Sequence, residues 1–299
     1  MTLEKLGWIR CNVYVLLIAG YFSVVLVSYV YFGVMLQSTL GIISLALIPA
    51  TFVLGRTKEY IRDWVPFLVL LLSYEALQGI AGSLAASRGV FSIYPLDKML
   101  WGFNLTGSIQ NAFYSDIVTD VSTFFYSLHF ALVAILAITL WYSREILFKR
   151  YVTALVISSY VSLMVFLLVP TSPPWYLGVA VDLLTKPAAV PSNLTPAINA
   201  VDNATKSFVS DKFAAFPSLH AAYAILFGFY MTKLKLSYGL FAIPITIGVL
   251  FSTLYLGQHY LIDLIGGAAV AFGAIAISSR LVKKDLASEM RTPKIQIED

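Results

Sequence analysis

Long apolar stretches separated by short charged ones run through most of the chain. A helix that crosses a bilayer needs about 20 mostly apolar residues. Eight runs approach that length: 13–35, 38–54, 64–82, 117–142, 151–170, 217–233, 236–256 and 258–279. Only Gln37, Ser38 and Thr39 interrupt the pattern from Val13 to Leu54. One straight helix over that stretch would be roughly 63 Å long, twice the hydrocarbon thickness, so the pattern predicts two spans there. The first run is too long for a signal-peptide core and lacks a small-residue cleavage site. The run at 64–82 carries Glu75 and Gln78 and is the most polar of the eight. The expected fold class is therefore all-α, a polytopic membrane protein with about eight transmembrane helices.

Composition agrees with the pattern. Of 299 residues, 59% are hydrophobic and 12% charged, against roughly 25% charged in a soluble domain. Mean hydropathy is +0.81. The single cysteine, Cys11, excludes an intrachain disulfide and a cysteine-based zinc cage. The net charge of +4 matters less than where the charges lie. With eight spans, both termini share a side. That side collects 15 Lys and Arg residues from the termini and the connections at 55–63, 143–150 and 233–235. The other side has five: Arg88, Lys98, Lys186, Lys206 and Lys212. Positive residues concentrate in the cytoplasm, which predicts cytoplasmic termini.

Two long loops, 83–116 and 171–216, then face away from the cytoplasm. The sequons Asn104-Leu105-Thr106, Asn193-Leu194-Thr195 and Asn203-Ala204-Thr205 all fall in them. The second loop and its borders are rich in proline, from Pro170, Pro173 and Pro174 to Pro217, which prevents long helix there. Loops of such length are often binding loops or lids. The 43 aromatic residues fit interface belts and helix packing.

The candidate chemistry gathers at the outer ends of helices. Only three histidines occur: His129, His220 and His259. His259 and Asp263 are four residues apart, so on a helix they share a face. A carboxylate beside an imidazole fixes its tautomer and favours its charged form, which improves it as a nucleophile. Asp263 also begins an apolar run, where an ionisable group is costly and usually functional. The plain alternative is an aspartate that caps a helix at the membrane surface. Pro217-Ser218-Leu219-His220 reads as a helix start with proline at the first position. The amides of such a turn attract phosphate, and His220 in the same turn could protonate a leaving oxygen. The plain alternative is a packing histidine. Together these residues predict metal-free phosphoryl transfer at the outer face.

The same residues resemble the type 2 phosphatidic acid phosphatase superfamily. Its second signature, Pro-Ser-Gly-His, is similar to Pro217-Ser218-Leu219-His220. Its third, Ser-Arg-x5-His-x3-Asp, is similar to Ser252-Thr253-x5-His259-x3-Asp263. The first signature, Lys-x6-Arg-Pro, is replaced by Pro170-Thr171-Ser172-Pro173-Pro174-Trp175-Tyr176. Those departures, with Tyr126-x2-His129-Phe130, resemble the branch that contains inositol phosphorylceramide synthase and its prokaryotic relatives. The resemblance implies a six-helix core, residues 61–280, preceded by two extra helices in 1–60 and followed by a charged tail, 281–299.

It further implies that His259 is the nucleophile and forms a phosphohistidine, that His220 is the general acid, that Asp263 is the partner of His259, and that Ser218 helps hold phosphate. The family's cations are missing: threonine stands at 253, and the first signature supplies none. Reduced positive charge favours a phosphodiester or phosphoalcohol over a dianionic monoester. Lys212, Thr171, Ser172, Thr253 and Tyr176 are candidate substrate-binding residues, and His129 a substrate-orienting one. Lys186, an exposed loop lysine by type, is a weaker replacement. Glu75 and Asp116 are further polar candidates. No metal, cofactor or nucleic-acid partner is implied; the partners are a lipid substrate and the membrane. A phosphatase acting on polyprenyl diphosphates or lipid monophosphates is an alternative on the same fold. A transporter with a His/Asp proton relay is another, but the repeats and broken helices expected of one are absent from the sequence. Nor is there the aspartate cluster that a metal-dependent CDP-alcohol transferase needs.

Overall fold

The computed structural model describes residues 55–184 and 213–282. The expected spans at 13–35 and 38–54, the lysines 186, 206 and 212, and the tail after 282 lie outside the described residues. Two compact units divide between Ser73 and Tyr74. Of the first, residues 55–73 are described, and within them Tyr60 stacks on Trp64 with ring centroids 5.7 Å apart.

The described residues form eight helices: α1 (Thr57–Arg88), α2 (Tyr94–Trp101), α3 (Leu105–Phe113), α4 (Asp116–Ser143), α5 (Glu145–Leu168), α6 (Leu219–Leu234), α7 (Leu236–Tyr255) and α8 (Leu261–Leu281). The all-α expectation holds: no strand occurs among the described residues, only isolated parallel bridges from Thr171 to Phe91 and to Ala214. Three helices, α5, α7 and α8, are long and apolar enough to cross a membrane, and α4 makes a fourth if its two bent halves form one span. The protein is thus an integral membrane protein by its helices, while the expected count of eight spans is not reached among the described residues.

The difference at 217–233 has a packing reason. Helix α6 has 16 residues, about 24 Å of length, short of a bilayer core. It packs against α4, α5, α7 and α8 together, so much of its apolar surface meets protein. Its side chains at Ala221, Ala222, Ala224, Leu226 and Phe227 are buried. Helix α5, one of its neighbours, buries Ser158, Ser159 and Ser162. Small residues let apolar helices approach closely where lipid supplies no hydrophobic drive. The Ser159 and Tyr223 hydroxyls share a hydrogen bond at 2.7 Å across that seam.

The start of α6 also differs from expectation. Pro217, joined to Phe216 by a cis peptide, lies before the helix, and Ser218 is the N-cap, its Oγ accepting the Ala221 N–H at 3.3 Å. Serine caps a helix because its short side chain can reach back to an unsatisfied amide. Asn104, the first sequon residue, likewise caps α3. Its Oδ1 accepts from Gly107, and its Nδ2 donates to the Val179 carbonyl at 2.6 Å. The nitrogen that glycosylation would modify is therefore engaged within the fold.

The ends of α6 and α8 touch backbone to backbone. Ser218 N–H donates to the Asp263 carbonyl at 3.0 Å. Gly267 makes this possible: a Cβ there would lie 2.2 Å from the Ser218 carbonyl oxygen. At Gly273, further along α8, a Cβ meets nothing within 4 Å. Gly267→Ala should therefore cost about 1–3 kcal/mol, as overpacking does. Gly273→Ala should be neutral or stabilise by up to about 1 kcal/mol through helix propensity. Thermal unfolding of the two variants in detergent checks this ordering.

Candidate active site

The link between α7 and α8 sets the first imidazole. After Tyr255 the chain reverses through Gly257, which has φ of +77°, a conformation glycine adopts without strain. A Cβ there would also strike the Val181 carbonyl oxygen at 2.5 Å. The reversal lets the Thr253 carbonyl accept the N–H groups of both Gln258 and His259, each at 3.1 Å. His259 is buried in this link and precedes α8. The expectation that His259 and Asp263 share a helical face is corrected accordingly: they meet across a helix start.

Asp263 is the third residue of α8, fully buried, and its Oδ2 accepts the Tyr260 N–H at 2.8 Å. A carboxylate at that position that reaches back to the cap amide is half of a capping box. The same oxygen stands 3.5 Å from His259 Nδ1, an ion-pair distance longer than a well-formed hydrogen bond. Asp263 thus caps the helix, the plain alternative weighed from sequence, and also faces the imidazole.

His220 comes from the first turn of α6. Its ring stacks on Tyr126 of α4, with centroids 4.3 Å apart and planes at 28°. Its Nδ1 lies 3.3 Å from His259 Nε2, and the two rings are 5.3 Å apart, edge to face. Asp263, His259 and His220 form one continuous polar chain from two segments 39 positions apart in sequence.

The remaining candidates divide. Thr171 is buried; its hydroxyl oxygen accepts the Phe216 N–H at 2.8 Å. Its backbone bonds to Phe213 and Ala215, so it ties the end of α5 to the approach to Ser218. Ser172 is buried beside it, and its Oγ has no hydrogen-bond partner among the described residues. Thr253 is fully buried and its hydroxyl donates to the Leu250 carbonyl at 2.8 Å. That proton is already engaged, so Thr253 serves the site through its carbonyl. Tyr176 stands exposed, with its ring against Phe213 at 5.3 Å. His129 lies within α4, but its side chain, like those of Glu75 and Gln78, lies outside what is described. Lys212 lies outside the described residues.

Several residues that frame the site were not singled out from sequence. Gln110 of α3 donates to the carbonyls of Val181, at 2.7 Å, and Tyr255, at 2.9 Å, and accepts the Val181 N–H at 2.8 Å. Gln258 accepts from the Trp175 indole at 3.1 Å and donates to Asp182 at 2.9 Å. Asp97 of α2 accepts the Ile262 N–H at 3.1 Å. Tyr126 entered only as part of a pattern centred on His129. A lone carboxylate or amide within an apolar segment was the available signal for Asp97 and Gln110. The Tyr260 hydroxyl is held above its ordinary range, by burial first and then by the carboxylates of Asp263 and Asp97 and by Tyr94. It therefore stays a neutral phenol between two acids.

No group of three or more His, Cys, Asp or Glu residues suited to a metal occurs among the described residues. A family model described as the PAP2 superfamily matches residues 92–277, more than half the chain. The protein belongs to the PAP2 superfamily. No curated protein and no solved structure matches it. Membership in the PAP2 superfamily points to phosphatase or phosphotransferase activity on lipid-like substrates, and the matched segment contains the whole His220–His259–Asp263 chain.

Replacing Gln110 by alanine would leave one amide and two carbonyls around Gly257 without partners. An unsatisfied buried group costs about 1–3 kcal/mol. Gln110→Ala should lower the thermal midpoint and expose the 179–184 segment to protease, whereas Asn111→Ala, at an exposed neighbour, should do neither.

Proposed function

We propose that the protein is a lipid phosphotransferase or phosphatase that works through a phosphohistidine on His259, without a metal. The observation that supports this best is the half-buried contact of His220 with His259, with the buried Asp263 behind it, at 3.3 and 3.5 Å. His259 Nε2 attacks phosphorus while Asp263 orients the ring from Nδ1. The phosphorus–oxygen bond to the leaving group breaks, and His220 gives that oxygen a proton. In the second half, a hydroxyl from water or an acceptor lipid attacks the phosphohistidine. His220 takes its proton, and the nitrogen–phosphorus bond breaks. The two imidazoles are in contact, so a phosphoryl group must part them on entry.

The charge balance favours a less anionic substrate. The family's third-signature arginine is Thr253 and its first-signature cations are missing. Phosphoryl oxygens would instead be met by neutral donors, Ser172 and the first-turn amides beside Ser218. Ser218 itself holds that turn through its cap. A phosphodiester headgroup, as in the inositol phosphorylceramide synthase branch, fits this better than a dianionic monoester. Lys212 is a supplementary cation, Tyr176 a rim contact and His129 an orienting residue. The distribution of Lys and Arg favours a site on the non-cytoplasmic side, with residues 61–280 as the catalytic core. A polyprenyl diphosphate or lipid monophosphate phosphatase is the second reading, favoured only by the membership itself.

The test uses purified protein in detergent with phosphatidylinositol, phosphatidic acid and polyprenyl diphosphate, with chelator present. Turnover should persist in chelator and be inhibited by vanadate. His259→Ala should lower it by at least about 10³-fold and His220→Asn by about 10²–10⁴-fold, the usual range for losing general acid catalysis. Alkaline quenching should trap label on His259 in the wild type. Turnover that survives His259→Ala refutes the nucleophile assignment. Mass spectrometry separates the readings, since free phosphate as the main product removes the transferase one.

A further inference from the structure

The environment of Asp97 is set by the sequence around it. Helix α2 reads Tyr94-Pro95-Leu96-Asp97-Lys98-Met99-Leu100-Trp101, and its one carboxylate is 1% exposed, while Leu96, Met99, Leu100 and Trp101 are all exposed. The amphipathic sense of the helix is inverted, with the acid inside. Burying a carboxylate is costly without compensating hydrogen bonds. Asp97 Oδ1 has two: the Trp101 indole N–H at 3.2 Å and the Ile262 backbone N–H at 3.1 Å.

Ile262 is the second residue of α8, next to Asp263. An α8 amide that no residue of its own helix can satisfy is thus bonded by a carboxylate from α2, 165 positions away. The N-terminal partial charge of α8 adds to that attraction. Rings extend the same contact: Tyr94 of α2 meets Tyr260, the α8 cap residue, at 6.0 Å.

We propose that Asp97 is a positioning residue for the imidazole of His259, holding the first turn of α8 so that Asp263 faces Nδ1. The inference rests on the reading of His259 as nucleophile. The charged and titratable groups around His259 are His220 of α6 on its Nε2 side and Asp263 on its Nδ1 side. Beyond them lie Tyr126 of α4 against His220, Asp182 through Gln258, and Tyr260, Tyr94 and Lys98 from the α2 side.

The experiment is NMR of the histidine ring signals in detergent, read beside turnover. With three histidines in the chain, His259 is assigned by the loss of its signal in His259→Asn. Asp97→Ala removes the acceptor for Ile262 and Trp101. It should shift the His259 ring resonances and, on whichever of the three test lipids turns over, lower kcat at least tenfold with KM little changed. Asp97→Asn keeps an oxygen for Ile262 and Trp101 and should restore the wild-type resonances and kcat. Unmoved His259 resonances in Asp97→Ala, or an Asp97→Asn no closer to wild type than Asp97→Ala, overturns the inference. The ring signals do not depend on turnover. If His259→Ala stays active while Asp97→Ala shifts the resonances, the anchor stands and the nucleophile reading falls.

Discussion

The hydrogen bond from Ser218 N–H to the Asp263 carbonyl, 3.0 Å long, is the constraint on which the site depends. It joins the first turns of two helices whose catalytic candidates are 39 positions apart. Backbone contact between helices needs an absent side chain, and Gly267 supplies that absence; at neighbouring Gly266 a Cβ would come 2.5 Å from the Phe216 ring. With the backbones fixed, the imidazoles have little freedom: His220 is stacked on Tyr126 and His259 is held through the Thr253 carbonyl. The chemistry is thus positioned by amides and glycines more than by the motif side chains themselves.

Electrostatically, the α8 start is unusually acidic. Asp263 and Asp97 each accept an amide from the same turn, and Tyr260 between them stays protonated. Helix N-termini attract anions, and here two carboxylates already occupy that end. A phosphoryl group is then better received at the α6 start, where Ser218 provides the cap and no carboxylate intrudes among its described partners. In the mechanism proposed above, one helix end polarises the nucleophile and the other faces the substrate oxygens. On that proposal a neutral helix start suits a phosphodiester better than a dianion.

The proline-rich connection after α5 has a structural duty as well. Thr171 bridges Phe91 on one side and Ala214 on the other, and Trp175 bonds to Gly257 and Gln258. Pro170, Pro173 and Pro174 keep the described residues 170–184 from forming a helix, which leaves amides such as those of Thr171 and Trp175 available for pairing with distant loops. The replaced first signature therefore acts as a clamp between these segments, and its buried Ser172 hydroxyl has no hydrogen-bond partner among the described residues.

Hydropathy was sufficient for the helical class and the membrane setting, and spacing for naming His220, His259 and Asp263 as candidates, because apolar run length and short motifs are local properties. Spacing misjudged what local rules cannot fix: the pair at 259 and 263 straddles a helix start, Pro217 lies outside its helix, and Thr253 acts through its carbonyl. Each of those depends on which amides find partners, and partners such as Asp97 and Gln110 come from helices over 100 positions away. The sequence by itself determined which side chains are the candidates for the chemistry. Only the tertiary structure decided how they are held, because buried polar groups take whatever partner the packing brings within hydrogen-bonding distance.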